Sequence, residues 1–123
     1  MNSNNLEIKK IFTFFKENKF EDVIVEGKKL FKQRQNDAQL IYLLGLSSIK
    51  LENFDDAENY FNKLILLNKN TENLYVLGNI QKKLKKFDNA IISFEEAIKL
   101  NPNFTEAYNN LGNAQKSLNK YQE

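Results

Sequence analysis

At 123 residues the chain is one domain by size, and 41% hydrophobic with 28% charged residues is ordinary for a globular protein. It has no cysteine and no histidine, which removes disulfides, thiolate metal sites and thiol nucleophiles together with the commonest general base, so no metal and no cofactor is expected. The net charge is only +2 and Arg34 is the single arginine among 18 basic residues, a poor basis for nucleic-acid binding, where arginine favours bidentate phosphate and base contacts.

Four glycines and one proline suit helices better than a turn-rich β fold, and the predicted class is all-α. No apolar run approaches the ~18 residues of a membrane span. Met1-Asn2-Ser3-Asn4-Asn5 lacks the basic and apolar segments of a secretory leader. A cytoplasmic, reducing location without membrane contact is therefore expected.

In chain order, the segment before Ala38 contains Lys19-Phe20-Glu21-Asp22-Val23, an echo of Lys86-Phe87-Asp88-Asn89-Ala90. From Ala38 the order Leu44-Gly45, Leu51, Asn53-Phe54-Asp55-Asp56-Ala57 begins a clearer copy. From Thr71 the apolar residues Leu74, Leu77, Ile80 and Leu84 recur at steps of three and four, interrupted by Gln81, and predict one helix. Phe87, Ala90, Ile91, Phe94, Ala97 and Ile98 predict a second, with Glu95, Glu96 and Lys99 on its outer face. Asp55, Asp56 and Asp88 fall in first turns and Lys82, Lys83, Lys85 and Lys86 at a last turn, the placements a helix dipole favours. Asn101-Pro102-Asn103 stops the second helix. Leu111-Gly112-Asn113, Leu118 and Lys120-Tyr121 then repeat Leu77-Gly78-Asn79, Leu84 and Lys86-Phe87. The interval is 33 residues from Gly45 to Gly78 and 34 from Gly78 to Gly112, the signature of a repeat array.

Leu74, Leu77-Gly78, Ala90, Phe94, Ala97 and Pro102 resemble the tetratricopeptide repeat (TPR). Ile41, Leu44-Gly45, Ala57, Phe61 and Leu64 form a second match, with Lys69 in the place of the proline, and Tyr108 with Leu111-Gly112 starts a third. The resemblance covers Ala38 to Glu123. It implies a right-handed α-solenoid of antiparallel helix pairs, about seven helices in all. Residues 1–37 would be a degenerate capping pair, in which Lys10-Ile11 replaces Leu-Gly and Gly27 the aromatic. Residues 38–70 and 71–104 would be full repeats, and 105–123 the first helix of a truncated one, all in one domain. Tyr108 and Leu111 are expected to pack back on the helix from Phe87 to Leu100. The chain then reads as a piece of a longer repeat protein, bacterial in style, whose C-terminal apolar edge invites homo-oligomer formation.

The resemblance further implies a concave groove lined by the first helix of each pair. Its residues here would be Asn5, Ile8, Phe12, Phe15 and Lys16, then Gln39, Tyr42, Leu46, Ile49 and Lys50. Glu72, Tyr75, Asn79, Lys82 and Lys83 follow, then Glu106, Asn109, Asn113, Lys116 and Ser117. A protein or peptide partner is expected to meet Phe12, Tyr42, Leu46, Ile49, Tyr75, Asn79, Lys82, Asn109 and Asn113, with tyrosine offering area, little rotamer entropy and a polar tip. Lys83, Lys86, Lys116 and Lys120 would line a basic edge, either complementing helix dipoles or docking an acidic partner. Some members of the family clamp the carboxylates of chaperone tails with cations. The matching places hold Tyr42, Leu46, Val76, Glu106 and Asn110, or one repeat earlier Ile8, Phe12, Leu43, Glu72 and Val76, with no cation in either set. No chaperone-tail clamp is therefore expected. No phosphate loop, metal spacing or nucleophile–base arrangement points to catalysis. A binding scaffold is expected, with the recruitment arm of a larger glycosyl- or sulfo-transferase as the alternative.

Overall fold

The computed structural model describes residues 3–122, with side chains from Leu6 to Gln122; the side chain of Asn5, and Met1, Asn2 and Glu123, lie outside the described residues. Among the described residues there are seven helices and no strand. They fall into two compact units, the first up to Leu67 and the second from Asn68 onward.

The first unit holds α1 (Ser3–Lys16), α2 (Phe20–Phe31), α3 (Ala38–Lys50) and α4 (Phe54–Leu67). The second holds α5 (Thr71–Lys83), α6 (Phe87–Leu100) and α7 (Thr105–Gln122). Side-chain caps start α3 and α5: Asp37 accepts from the Leu40 N–H and Asn70 from the Asn73 N–H at 2.8 Å. At α2 and α6 the residue before the helix is a lysine without a capping bond, and Glu21, Asp22 and Asp88 supply the first-turn negative charge instead.

The tight turns are built alike. Asn18, Glu52 and Lys85 have φ of 62°, 59° and 61°, and each is followed by a residue whose N–H reaches back five positions. Those bonds, Lys19 to the Phe14 carbonyl, Asn53 to Ser48 and Lys86 to Gln81, are all 2.8 Å. This is the Schellman closure of a helix C-terminus, made here without the usual glycine. The turn between α1 and α2 thus has the same geometry as those between α3 and α4 and between α5 and α6.

Packing explains the small residues. A methyl at Gly45 would stand 2.7 Å from the Phe61 ring, and one at Gly78 2.5 Å from the Phe94 ring. Phe61 and Phe94 are fully buried, each burial contributing about 1.5–3 kcal/mol. In the first pair the relation is inverted. Gly27 stands on α2 where the other pairs have the aromatic, and a methyl there would meet Leu44 of α3 at 2.6 Å. Leu44 joins Ile11, Val23, Leu30, Leu40 and Leu43 in the core of the first unit. In the second unit Ala90, Phe94 and Ala114 form the core, covered by Tyr75, Ile91 and Leu111. Gln81, the polar break in the α5 stripe, is buried and accepts a 2.7 Å bond from the Ser93 hydroxyl of α6, which removes most of its burial penalty.

Tyr108 departs from expectation. Leu111 does pack on α6, but Tyr108 is 48% exposed, and Ala107 and Ala114 are the fully buried residues of α7. The helix rotates so that its small residues, not its tyrosine, allow close approach.

Candidate peptide-binding faces

In the second unit the face is built from α5 and α7. Tyr75 lies on α5 with its ring 5.9 Å from that of Phe94 and 4.8 Å from that of Phe104, the residue just before α7. Its hydroxyl accepts from Asn110 Nδ2 at 2.9 Å, and the same nitrogen donates to Asn79 Oδ1 at 2.9 Å. One amide of α7 thereby fixes two side chains one turn apart on α5. Both Asn110 N–H bonds are used, whereas the Tyr75 O–H, the Asn79 amide nitrogen and the Asn110 oxygen retain capacity for further bonds. Tyr75, Asn79 and Asn110 are half-buried, so the set is both held in place and reachable from solvent.

Asn113 is exposed one turn along α7, between the half-buried Asn110 and Ser117. Asn109 is exposed and has no part in the Asn110 network. Lys82 is half-buried on α5; Lys83 and Lys120 are exposed in the last turns of α5 and α7, and Lys116 is exposed one turn before Lys120. Lys86 is exposed and engaged in an interaction of its own.

In the first unit the corresponding residues are apolar. Tyr42 is 41% exposed and its ring meets that of Phe61 edge-on at 6.0 Å, the counterpart of Tyr75 on Phe94. Leu46 and Ile49, four and seven residues on, are half-buried. On α1, Phe12 is 43% exposed with Lys16 Nζ 5.5 Å from its ring centre. Phe15 instead turns onto Phe20 at 5.6 Å, and Ile8 packs on the core. Burial, and secondarily Asp56, raises the pKa of Tyr60 on α4, whose ring packs on Phe31.

The structure brings Tyr75 and Asn79 together and leaves Asn109 outside. The sequence reading named Asn110 among the places of a chaperone-tail clamp that hold no cation. Its signal was a polar residue where the preceding copy has Val76. Phe104 was missed altogether, since its ring reaches α5 from a connecting segment that no helical stripe includes.

The profile of the tetratricopeptide repeat matches residues 38–71, and that of the TPR repeat matches residues 78–122. The chain belongs to the tetratricopeptide repeat family. Among curated protein sequences none matches it. Solved structures match well. A crystal structure of MamA, 24% identical, superposes with a TM-score of 0.87 over 94% of this chain. This chain spans 64% of that protein's length. The first TPR of Spaghetti (RPAP3) bound to the HSP90 peptide SRMEEVD is 24% identical, with a TM-score of 0.82 over 94% of this chain and 92% of its own. The Arabidopsis OM64 TPR domain is 19% identical, with a TM-score of 0.81 over 94% of this chain and 97% of its own. At these identities the likeness establishes the TPR fold, an α-solenoid class of helix pairs. No helix among the described residues is long and apolar enough to cross a membrane.

Proposed function

We propose that this TPR domain is a protein-interaction scaffold that binds a peptide segment on the faces of its first helices, and that its role is capture rather than catalysis. The observation that carries the reading is the placement of Tyr42 and Tyr75. Each ring is seated on a fully buried phenylalanine and each remains reachable, Tyr42 at 41% exposure. Rigid, half-exposed tyrosines, one beside apolar residues and one beside hydrogen-bonding amides, suit an extended peptide with an aromatic or aliphatic anchor.

The likeness to a TPR holding an HSP90 peptide supports peptide capture as the mode. The acidic tail itself is a poor fit. Tyr42, Leu46, Val76 and Glu106 offer no cation for a carboxylate, so the peptide SRMEEVD should not bind measurably. As the recruitment arm of a larger enzyme, the chain would use the same faces.

The test is affinity selection of displayed random peptides followed by calorimetry. Tyr42→Ala should weaken peptides held on the first unit's face, and Tyr75→Ala those held on the second unit's, about tenfold or more, as anchor residues do, with helical content unchanged. Selected peptides indifferent to both substitutions would remove the proposal.

A further inference from the structure

The second unit segregates charge. From Asn73 to Phe87, and again from Ala107 to Gln122, there is no aspartate or glutamate. Six of the chain's 18 basic residues lie in those two stretches: Lys82, Lys83, Lys85, Lys86, Lys116 and Lys120. The fold brings the stretches together. The Phe104 ring, just before α7, lies 4.8 Å from that of Tyr75, and the Tyr121 ring at the end of α7 lies 6.0 Å from that of Phe87, just past α5. The helices α5 and α7 therefore run the same way, in the register that Asn110 fixes against Tyr75 and Asn79. That register sets Lys116 level with Lys82 and Lys83, and Lys120 level with the turn carrying Lys85 and Lys86. Lys82, Lys83, Lys85, Lys116 and Lys120 enter no ion pair among the described residues, whereas Lys19, Lys29, Arg34 and Lys69 do. The helix dipole accounts for lysines in a last turn, but its reach is about one turn and leaves Lys116 unexplained. Lys83 and Lys85 stay exposed although α6 and α7 both contact α5, so the strip is an edge of the helix stack and not a face that a following helix covers.

We propose that this edge docks an acidic, extended segment of a partner protein, with carboxylates on alternate residues. Lys82 to Lys86 and Lys116 to Lys120 each span one helical turn, about 6 Å of rise. Alternate residues of an extended chain are about 6.6 Å apart, so successive carboxylates meet successive lysines. The strip holds no arginine, the residue suited to bidentate phosphate contacts. Outside the two stretches acidic residues outnumber basic ones, which opposes a long polyanion such as RNA, or an anionic membrane, and tolerates a short local segment. A segment with only the three acidic side chains of SRMEEVD would leave half of the lysines unpaired. The strip adjoins the Tyr75 face but does not depend on it for binding.

The probe is a capped peptide of six Glu-Ser repeats, titrated into the isotope-labelled full chain at low salt. Saturable binding is expected, with the amide signals of Lys82, Lys83, Lys85, Lys116 and Lys120 shifting. Raising the ionic strength from about 0.01 M to about 0.15 M cuts the screening length from about 30 Å to about 8 Å and should weaken binding about tenfold or more. Lys83→Glu combined with Lys116→Glu should abolish it. Lys28→Glu combined with Lys32→Glu, the same change of net charge on exposed lysines elsewhere, should weaken it less than about twofold. Tyr75→Ala should leave it unchanged, so the strip and the tyrosine faces stand or fall separately. Absence of binding overturns the proposal. So does equal loss from the two double reversals, equal binding of six Gln-Ser repeats, or tighter capture of single-stranded oligothymidylate or phosphatidylserine vesicles on the same lysines.

Discussion

Leu77-Gly78 and Leu111-Gly112 are the same dipeptide one repeat apart, yet the first lies under the ring of Phe94 and the second is open. The pair of letters specifies a seat on a helix. Whether the seat is filled depends on the helix packed against it, and the two cases separate what the covered motif contributes through packing from what a glycine costs a helix by itself.

The largest effect should come from emptying the filled seat. Phe94→Ala removes a fully buried ring against Gly78 and Tyr75 and should cost about 3–5 kcal/mol in denaturant unfolding. If its cost were that of a surface change, the covered seat would not be the core of the second unit.

Glycine replacement reads the comparison directly. Gly78→Ala puts a methyl within 2.5–2.8 Å of three ring atoms of a residue that has no room to move, and should destabilise by about 1–3 kcal/mol. Gly112→Ala meets nothing and should stabilise by about 0.8–1 kcal/mol through helix propensity alone. Equal signs for the two would break the contrast.

A smaller effect lies in the turn joining the covered helix to its cover. Lys85 holds a φ of 61°, and Lys85→Gly should raise stability by about 0.5–1 kcal/mol by relieving that conformation. The smallest concerns the inner side of the filled seat. Tyr75→Phe removes one acceptor for Asn110 while Asn79 still accepts from it, and should cost about 0.5 kcal/mol, the low end for a neutral hydrogen bond, by the same unfolding measurement. Because the ring remains on Phe94, the loss should be mostly in peptide affinity if the hydroxyl also meets a ligand.

The helices were legible because they depend on local spacing: steps of three and four, and the same order of residues after 33 or 34 positions; the seating of the Phe94 ring at Gly78 comes from the structure. That Tyr42 and Phe12 face outward was implied by the family resemblance and not by spacing, and both are exposed. What could not be read was the outcome of competition among neighbours on one helix. Tyr108 and Ala107 both offer themselves to α6, and close approach selects the alanine. Asn109 and Asn110 are adjacent letters, but only the second lies within 2.9 Å of both Tyr75 and Asn79. The contact from Phe104 to Tyr75 comes from a connecting segment, where periodicity carries no information. The inverted packing of Gly27 against Leu44 explains why the first pair departs from the motif, but the letters alone showed only the departure.

The central claim is that ligands are captured on the faces carrying Tyr42 and Tyr75. Its most direct test is to titrate a display-selected peptide into the isotope-labelled chain and map the shifted amide and side-chain signals. The account predicts that they gather on the face of Tyr42 in the first unit or on that of Tyr75, Asn79, Asn110 and Asn113 in the second. Shifts gathered instead on the outer residues Ile92, Glu95 and Lys99, with those faces silent, would contradict it.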